Sequence, residues 1–184
     1  MITTTQLIQT RFDTPLGPMR AIANEQGVLI CDFIDRRDID TTLARVEQQH
    51  GPAIDGENDH LVTLRRELAG YFDKTITTFT VPLVPAGTEF ELRMWEYLRT
   101  IPFGQTRSYG QQARETGDPA AVRAVGGANG RNFIAILIPC HRVIAANGDL
   151  TGYGGGIERK RWLLEHEASG LFAQQTHAAG SMTA

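Results

Sequence analysis

The stretch that decides the fold is Ser108-Tyr109-Gly110-Gln111, followed closely by Gly117-Asp118-Pro119-Ala120-Ala121-Val122-Arg123-Ala124-Val125-Gly126-Gly127-Ala128. Ser108 and Gln111 form a capping-box pattern, in which each side chain accepts a hydrogen bond from a backbone N–H that the first helical turn leaves orphaned. A short helix follows, and Gly117 can end it in the left-handed conformation. Asp118 as N-cap and Pro119 at the first helical position then start a second helix over residues 119–129, because proline lacks a donor that would be orphaned there anyway. Two short helices joined by a tight Gly-Asp turn read as a helix-turn-helix. The second is built of small residues around a single arginine, Arg123, so it can approach another surface closely.

Upstream, Thr88 and Glu91 form another capping-box pattern, opening a helix from Glu89 to about Thr100 whose buried stripe is Phe90, Met94, Trp95, Leu98 and Ile101. Pro82, Pro85 and Gly87 mark residues 82–88 as a linker. Before it, residues 6–14, 18–24 and 28–33 read as an antiparallel meander, residues 41–50 and 61–72 have helical spacing, and residues 77–84 are strand-like. The expected architecture is an α/β unit over residues 1–85, a mostly helical unit over 86–172, and a flexible tail over 173–184. Downstream of the helix pair, the apolar run 133–138 is either a buried strand or an extended buried segment. Pro139 closes it and Cys140-His141-Arg142 follows; residues 157–167 read as a last helix with Trp162, Leu163 and Leu164 inward.

The chain of 184 residues is 41% hydrophobic and 21% charged, values of a folded globular protein. Its only cysteines, Cys31 and Cys140, exclude a disulfide framework and cannot alone build a four-ligand zinc site. Met1-Ile2-Thr3-Thr4-Thr5-Gln6 lacks the basic and apolar regions of a signal peptide, and no apolar run approaches a membrane span. These features predict a reduced, cytoplasmic monomer with no metal, no cofactor and no membrane partner. A net charge of −3 argues against binding polyanions through overall charge. The distribution argues otherwise: residues 1–85 carry −4, whereas Arg99, Arg107, Arg114, Arg123, Arg131 and Arg142 face only Glu115 and Asp118, a local +4.

A lone cysteine after an apolar segment is commonly a small core hydrophobe. An ordinary thiol is only a few per cent ionised at neutral pH, so a nucleophilic one needs a base or a positive field. His141 and Arg142 adjoin Cys140, but sequence neighbours need not face each other, and His141 acts as base only if the turn or a bridging water brings it within reach.

Pro139-Cys140-His141-Arg142-Val143 resembles the active-site signature of the O6-alkylguanine-DNA alkyltransferases, the methylated-DNA-protein-cysteine methyltransferases. It occurs at that family's spacing with Arg123-Ala124-Val125-Gly126-Gly127-Ala128, Asn132, Tyr153-Gly154-Gly155 and Trp162-Leu163-Leu164-Glu165-His166-Glu167. The likeness is close over residues 86–169 and loose over 11–85. It implies an RNase H-like N-terminal domain before a DNA-binding domain. It also implies DNA repair by stoichiometric, irreversible transfer of the alkyl group from O6-alkylguanine, and from O4-alkylthymine, to Cys140. By this resemblance His141 is the water-mediated base, Glu167 orients it and favours its protonated form, and Asn132 braces the active-site turn. The substrate is double-stranded DNA carrying the lesion, and the target nucleotide is flipped out through the minor groove. Arg123 fills the gap in the stack, Tyr109 presses the 3′ phosphate, and Ala121, Ala124 and Gly127 lie in the groove. The carbonyls of Cys140 and Val143, the Tyr109 hydroxyl, the backbone N–H near Gly154 and the Tyr153 ring hold the base. Gly154 stands where many members have serine or alanine and Ala135 where some have proline, which implies a roomier or more flexible pocket.

Other classes stay open on the residues alone. A non-catalytic lesion-binding relative would lack the cysteine before His141; a helix-turn-helix regulator would show a dimerisation segment and a polar recognition helix; a cysteine hydrolase would turn over without modifying itself. Cys31, within Val28-Leu29-Ile30-Cys31, reads as packing.

Overall fold

The computed structural model describes residues 6–178, with side chains as far as Ala168. Among these residues the protein is α/β, with six α-helices, a four-stranded sheet and a small two-stranded one. Strands β1 (Leu7–Phe12), β2 (Met19–Ala23) and β3 (Val28–Phe33) form the antiparallel meander. Helix α1 (Ile39–His50) leads to β4 (Ala53–Asp55), which pairs parallel with β1 and gives the order β3-β2-β1-β4. Helix α2 (Asp59–Phe72) lays Leu61, Leu64, Leu68 and Tyr71, a single helical face, into the core.

Several sequence readings change here. Residues 77–84 are not a strand: the buried Glu67 carboxylate accepts from the backbone N–H groups of Thr80 and Val81 and from the Thr80 hydroxyl, taking donors a ladder would need. Only Leu83 makes an isolated bridge, to Val28. Strand β4 is too short for a period-two pattern to reveal it. The second helix of the pair, α5, spans Val122–Gly130, not 119–129. Asp118 accepts from the N–H of Ala120 at 3.1 Å, so Asp118-Pro119 makes an Asx turn before the helix instead of capping it.

Helix α3 (Glu89–Arg99) and helix α4 (Tyr109–Glu115), entered through the short strand β5 (Arg107–Ser108), both carry the full capping box. Gly117 follows α4 with φ of +92°, the conformation it was placed to supply. Met94, Ala113, Val125 and Ala128 bury together between α3, α4 and α5. Gln112 and Asn129 exchange amide hydrogen bonds of 2.7 and 3.3 Å, and Trp95 Nε1 donates to Ala128 O at 2.9 Å, fixing the angle at which α5 stands.

Residues 133–138 are wholly buried, bridged at Ile134 to Cys31 of β3, and lead into a single 3-10 turn, Cys140–Arg142, and strand β6 (Val143–Ile144), which pairs with β5. The main core draws on both sides of residues 82–88, joining Cys31, Phe33 and Tyr71 to Ile134, Ile136, Ile138 and Leu163. Helix α6 runs Ile157–Ala178, well past residue 167, so residues 173–178 of the expected tail are helical. One glycine, Gly170, costs about 1 kcal/mol in a helix and does not stop it. The rest of that tail, 179–184, lies outside the described residues. No helix among the described residues is long and apolar enough to cross a membrane.

Candidate active site

The site is built on the turn that follows the apolar segment. Asn132 Nδ2 donates to Ile138 O at 2.8 Å and to Cys140 Sγ at 3.3 Å, while its Oδ1 accepts from Ile134 N at 2.9 Å. One amide thus ties both ends of the segment to the thiol. Between them Ile136 sits at φ of +71°, a conformation costing a β-branched residue about 1–3 kcal/mol. Complete burial of its side chain returns about 1.5–3 kcal/mol, so packing holds the turn in place. Burial pushes the Cys140 thiol up, opposed by the Asn132 hydrogen bond and the charges of Arg36 and Lys160. The cysteine therefore rests as a neutral thiol.

His141, fully buried, places Nε2 at 2.8 Å from Glu167 Oε1. On α6, Lys160, Leu163 and Glu167 share one inward face, which carries the carboxylate to the turn. Burial alone would raise Glu167; electrostatic interactions and hydrogen bonds with His141 and with Arg142, whose Nε lies 2.9 Å from Oε2, outweigh it and hold the carboxyl well below the usual range. An ionised acceptor puts the imidazole proton on Nε2, and Nδ1, buried without a protein partner, keeps the lone pair. Burial lowers the His141 pKa and exceeds the upward pull of Glu167. The resting imidazole is neutral: Glu167 favours the protonated form, and burial outweighs it.

Around this cluster, Tyr153 meets the His141 ring edge-on at 6.4 Å between centroids, and the Tyr109 hydroxyl donates to Thr151 O at 3.0 Å. The Cys140 carbonyl accepts from the Val143 N–H, and Val143 O accepts from Lys160 Nζ at 2.6 Å; each oxygen keeps a second lone pair. The space beside Gly154 is not open: a Cβ there would lie 2.7 Å from Arg36 Cζ. Arg36 is locked, bonding Asp32 at 2.6 Å, Asp38 at 2.9 Å, Asn132 O at 2.5 Å and Gly130 O at 2.6 Å. Glycine at this position makes room for the guanidinium, which overturns the expectation of a roomier pocket on that side.

The structure thus brings Cys140, His141, Asn132 and Glu167 into one buried cluster, with Tyr109, Tyr153, Val143 and Gly154 at its edge. Arg123 stands apart on the solvent face of α5 with Ala124, both exposed, while Ala121 and Gly127 are half-buried. The sequence reading missed Arg36, Tyr71 and Lys160. Lys160 is completely buried yet cationic in character, which an alternating charge pattern at the start of α6 does not reveal.

An α/β fold with a thiol on the same buried turn as a histidine–glutamate pair fits the class of cysteine-dependent proteins, and comparison specifies the family. The family model for the 6-O-methylguanine DNA methyltransferase DNA-binding domain matches residues 89–169. A methylated-DNA–protein-cysteine methyltransferase of Mycobacterium leprae is 46% identical over 158 residues, 84% of this chain and 88% of the relative. The crystal structure of Mycobacterium tuberculosis O6-methylguanine methyltransferase superposes with a TM-score of 0.76 at 41% identity, covering 89% of this chain and 94% of the other. The structure of OGT from that organism in complex with DNA gives 0.77 over the same shares. The chain belongs to the methylated-DNA–protein-cysteine methyltransferase family. Its reaction is DNA repair by transfer of an alkyl group from O6-alkylguanine to a protein cysteine.

Proposed function

We propose that Cys140 is the acceptor, and that His141, Glu167 and Asn132 make it reactive only when a substrate is in place. The supporting observation is that His141 Nδ1 is buried without a protein partner, on the same short turn as a thiol that burial keeps neutral. The imidazole takes the thiol proton through a bridging water, Glu167 steadies the imidazolium that forms, and Asn132 donates to the sulfur. Sulfur attacks the alkyl carbon, the C–O6 bond breaks, and its electron pair leaves on the guanine, which accepts the proton and becomes ordinary guanine. The thioether has no leaving group that water can displace, so each molecule acts once. O4-alkylthymine presents the same alkyl–oxygen bond and is a second substrate.

The partner is double-stranded DNA, reached by a monomer. Residues 1–85 act as an RNase H-like domain and 86–172 as the DNA-binding and transfer domain, with α4 and α5 as a helix-turn-helix. Ala121, Ala124 and Gly127 let α5 enter the minor groove, Arg123 fills the stack, and Tyr109 turns the lesion outward toward Tyr153, Gly154 and the carbonyls of Cys140 and Val143. The solvent-facing Arg123 and the small residues around it support this reading. Two free, buried cysteines suit the reducing cytoplasm.

Transfer assays on Cys140→Ser and Cys31→Ser test the assignment. Abolished transfer in the first and retained transfer in the second is the expected pair; transfer surviving in Cys140→Ser overturns it.

A further inference from the structure

The Glu167 carboxylate has a donor that the relay does not require. Tyr71, from α2 in the N-terminal part, is completely buried and places its hydroxyl 2.7 Å from Oε1, the same oxygen that accepts from His141 Nε2 at 2.8 Å and from Arg142 Nη2 at 3.0 Å. The other oxygen, Oε2, takes Arg142 Nε at 2.9 Å and the Gly104 N–H at 3.1 Å. We propose that Tyr71 is a positioning residue for the relay, setting how strongly Glu167 holds the His141 imidazole. This rests on the relay reading given above.

The phenol acts as a donor here. Burial, and then the Glu167 charge, push its pKa upward, so it keeps its proton throughout the working range. Each donor on Oε1 draws density from the oxygen that His141 shares, so Tyr71 weakens the carboxylate's grip and disfavours the imidazolium. Its ring cannot turn away. Phe79 and Phe103 pack on it at 5.6 and 5.9 Å between centroids, and the His166 ring lies at 5.3 Å with Nε2 on the Tyr71 carbonyl at 2.9 Å.

The charged and titratable groups around His141 are Glu167 and Lys160 from α6, Tyr153 from the loop before it, and Arg142 and Cys140 on its own turn; Tyr71 reaches it through Glu167. Arg142 and Lys160 oppose protonation and Glu167 favours it. Removing only the Tyr71 hydroxyl leaves the cations in place and takes one of three donors off Oε1, so His141 is held more strongly and the imidazole takes up its proton at higher pH.

The test is the pH dependence of transfer from duplex DNA containing O6-methylguanine, measured for the full chain and for Tyr71→Phe and His141→Gln. The expected result is an acid limb in the parent that disappears in His141→Gln and moves up by about half a pH unit in Tyr71→Phe, about a threefold slower reaction on the limb. A purely structural tyrosine would lower the unfolding temperature and leave the limb where it was. A limb unmoved or moved down in Tyr71→Phe overturns the role of Tyr71 alone. A limb that persists in His141→Gln, or is missing from the parent, overturns the relay and the role of Tyr71 with it. NMR titration of the His141 ring nitrogens in the parent and Tyr71→Phe reads the same shift without turnover: an upward shift supports the role and its absence overturns it.

Discussion

His141 Nε2 and Glu167 Oε1 stand 2.8 Å apart in a fully buried site, and that contact decides which imidazole nitrogen can act. With Nε2 committed as donor, Nδ1 is the nitrogen left with a lone pair for the base role we propose. The same carboxylate is the counter-charge of Arg142, so the His141 contact and a buried ion pair share one residue.

Glu167→Gln keeps the side-chain shape and removes the charge. Breaking a buried pair by neutralising one partner costs about 3–5 kcal/mol, because the other charge is left uncompensated. Denaturant unfolding should show a loss of that size, and transfer by the folded fraction should slow on the order of a hundredfold. Unchanged stability would mean that Arg142 finds other partners.

Acid should destabilise the protein in two stages. His141 and Glu167 both have depressed pKa values in the fold, so the unfolded chain binds their protons first. Their stabilisation is complete above about pH 6.5 for His141 and about pH 4.3 for Glu167, and is lost as pH falls toward each folded value. Asp32, raised to about 6 by burial, works in the opposite sense: its contribution is present at low pH and lost as pH rises through that value. Thermal unfolding of the parent against His141→Gln isolates the first stage. The difference between them should shrink as pH drops below about 6.5, and a constant difference would contradict the neutral buried imidazole.

Gly154→Ser should be unfavourable despite adding a side chain found at this position in the resembling family. Its Cβ would sit 2.7 Å from Arg36 Cζ, and Arg36 cannot swing aside without leaving Asp32 and the carbonyls of Gly130 and Asn132. Overpacking of this kind costs about 1–3 kcal/mol. Equal unfolding free energies for the two proteins would show that the guanidinium has another place to go.

Arg123→Ala should leave stability within about 0.5 kcal/mol, since the side chain is exposed. It should slow transfer from duplex DNA far more than reaction with the free O6-alkylguanine base, for which no nucleotide has to leave a stack. Equal slowing of both would remove Arg123 from the flipping step.

Local chemistry made much of this fold legible. Thr88 with Glu91 and Ser108 with Gln111 announced α3 and α4, and Gly117 adopted its left-handed turn, because each is settled by neighbours within a few residues. Asp118-Pro119 misled by the same logic, since an Asx turn and an N-cap use the same side-chain oxygen. Residues 77–84 have strand composition, but Glu67, thirteen residues earlier, claims the donor of Thr80. The candidate site was legible only through the motif at Cys140, since the chain separates His141 from Glu167 by 26 residues. Arg36 and Tyr71 each reach their partners, Asn132 and Glu167, across 96 residues, a contact set by packing of the sheet and α2 against the turn and invisible to any local pattern.

The central claim is that Cys140 takes up the alkyl group once. Intact-protein mass spectrometry after mixing with excess duplex DNA containing O6-methylguanine tests it directly, with peptide mapping of the product. One added methyl per molecule, located on Cys140, with no further turnover, is the predicted result. An unmodified protein, or a methyl group on Cys31 or any other residue, would contradict it.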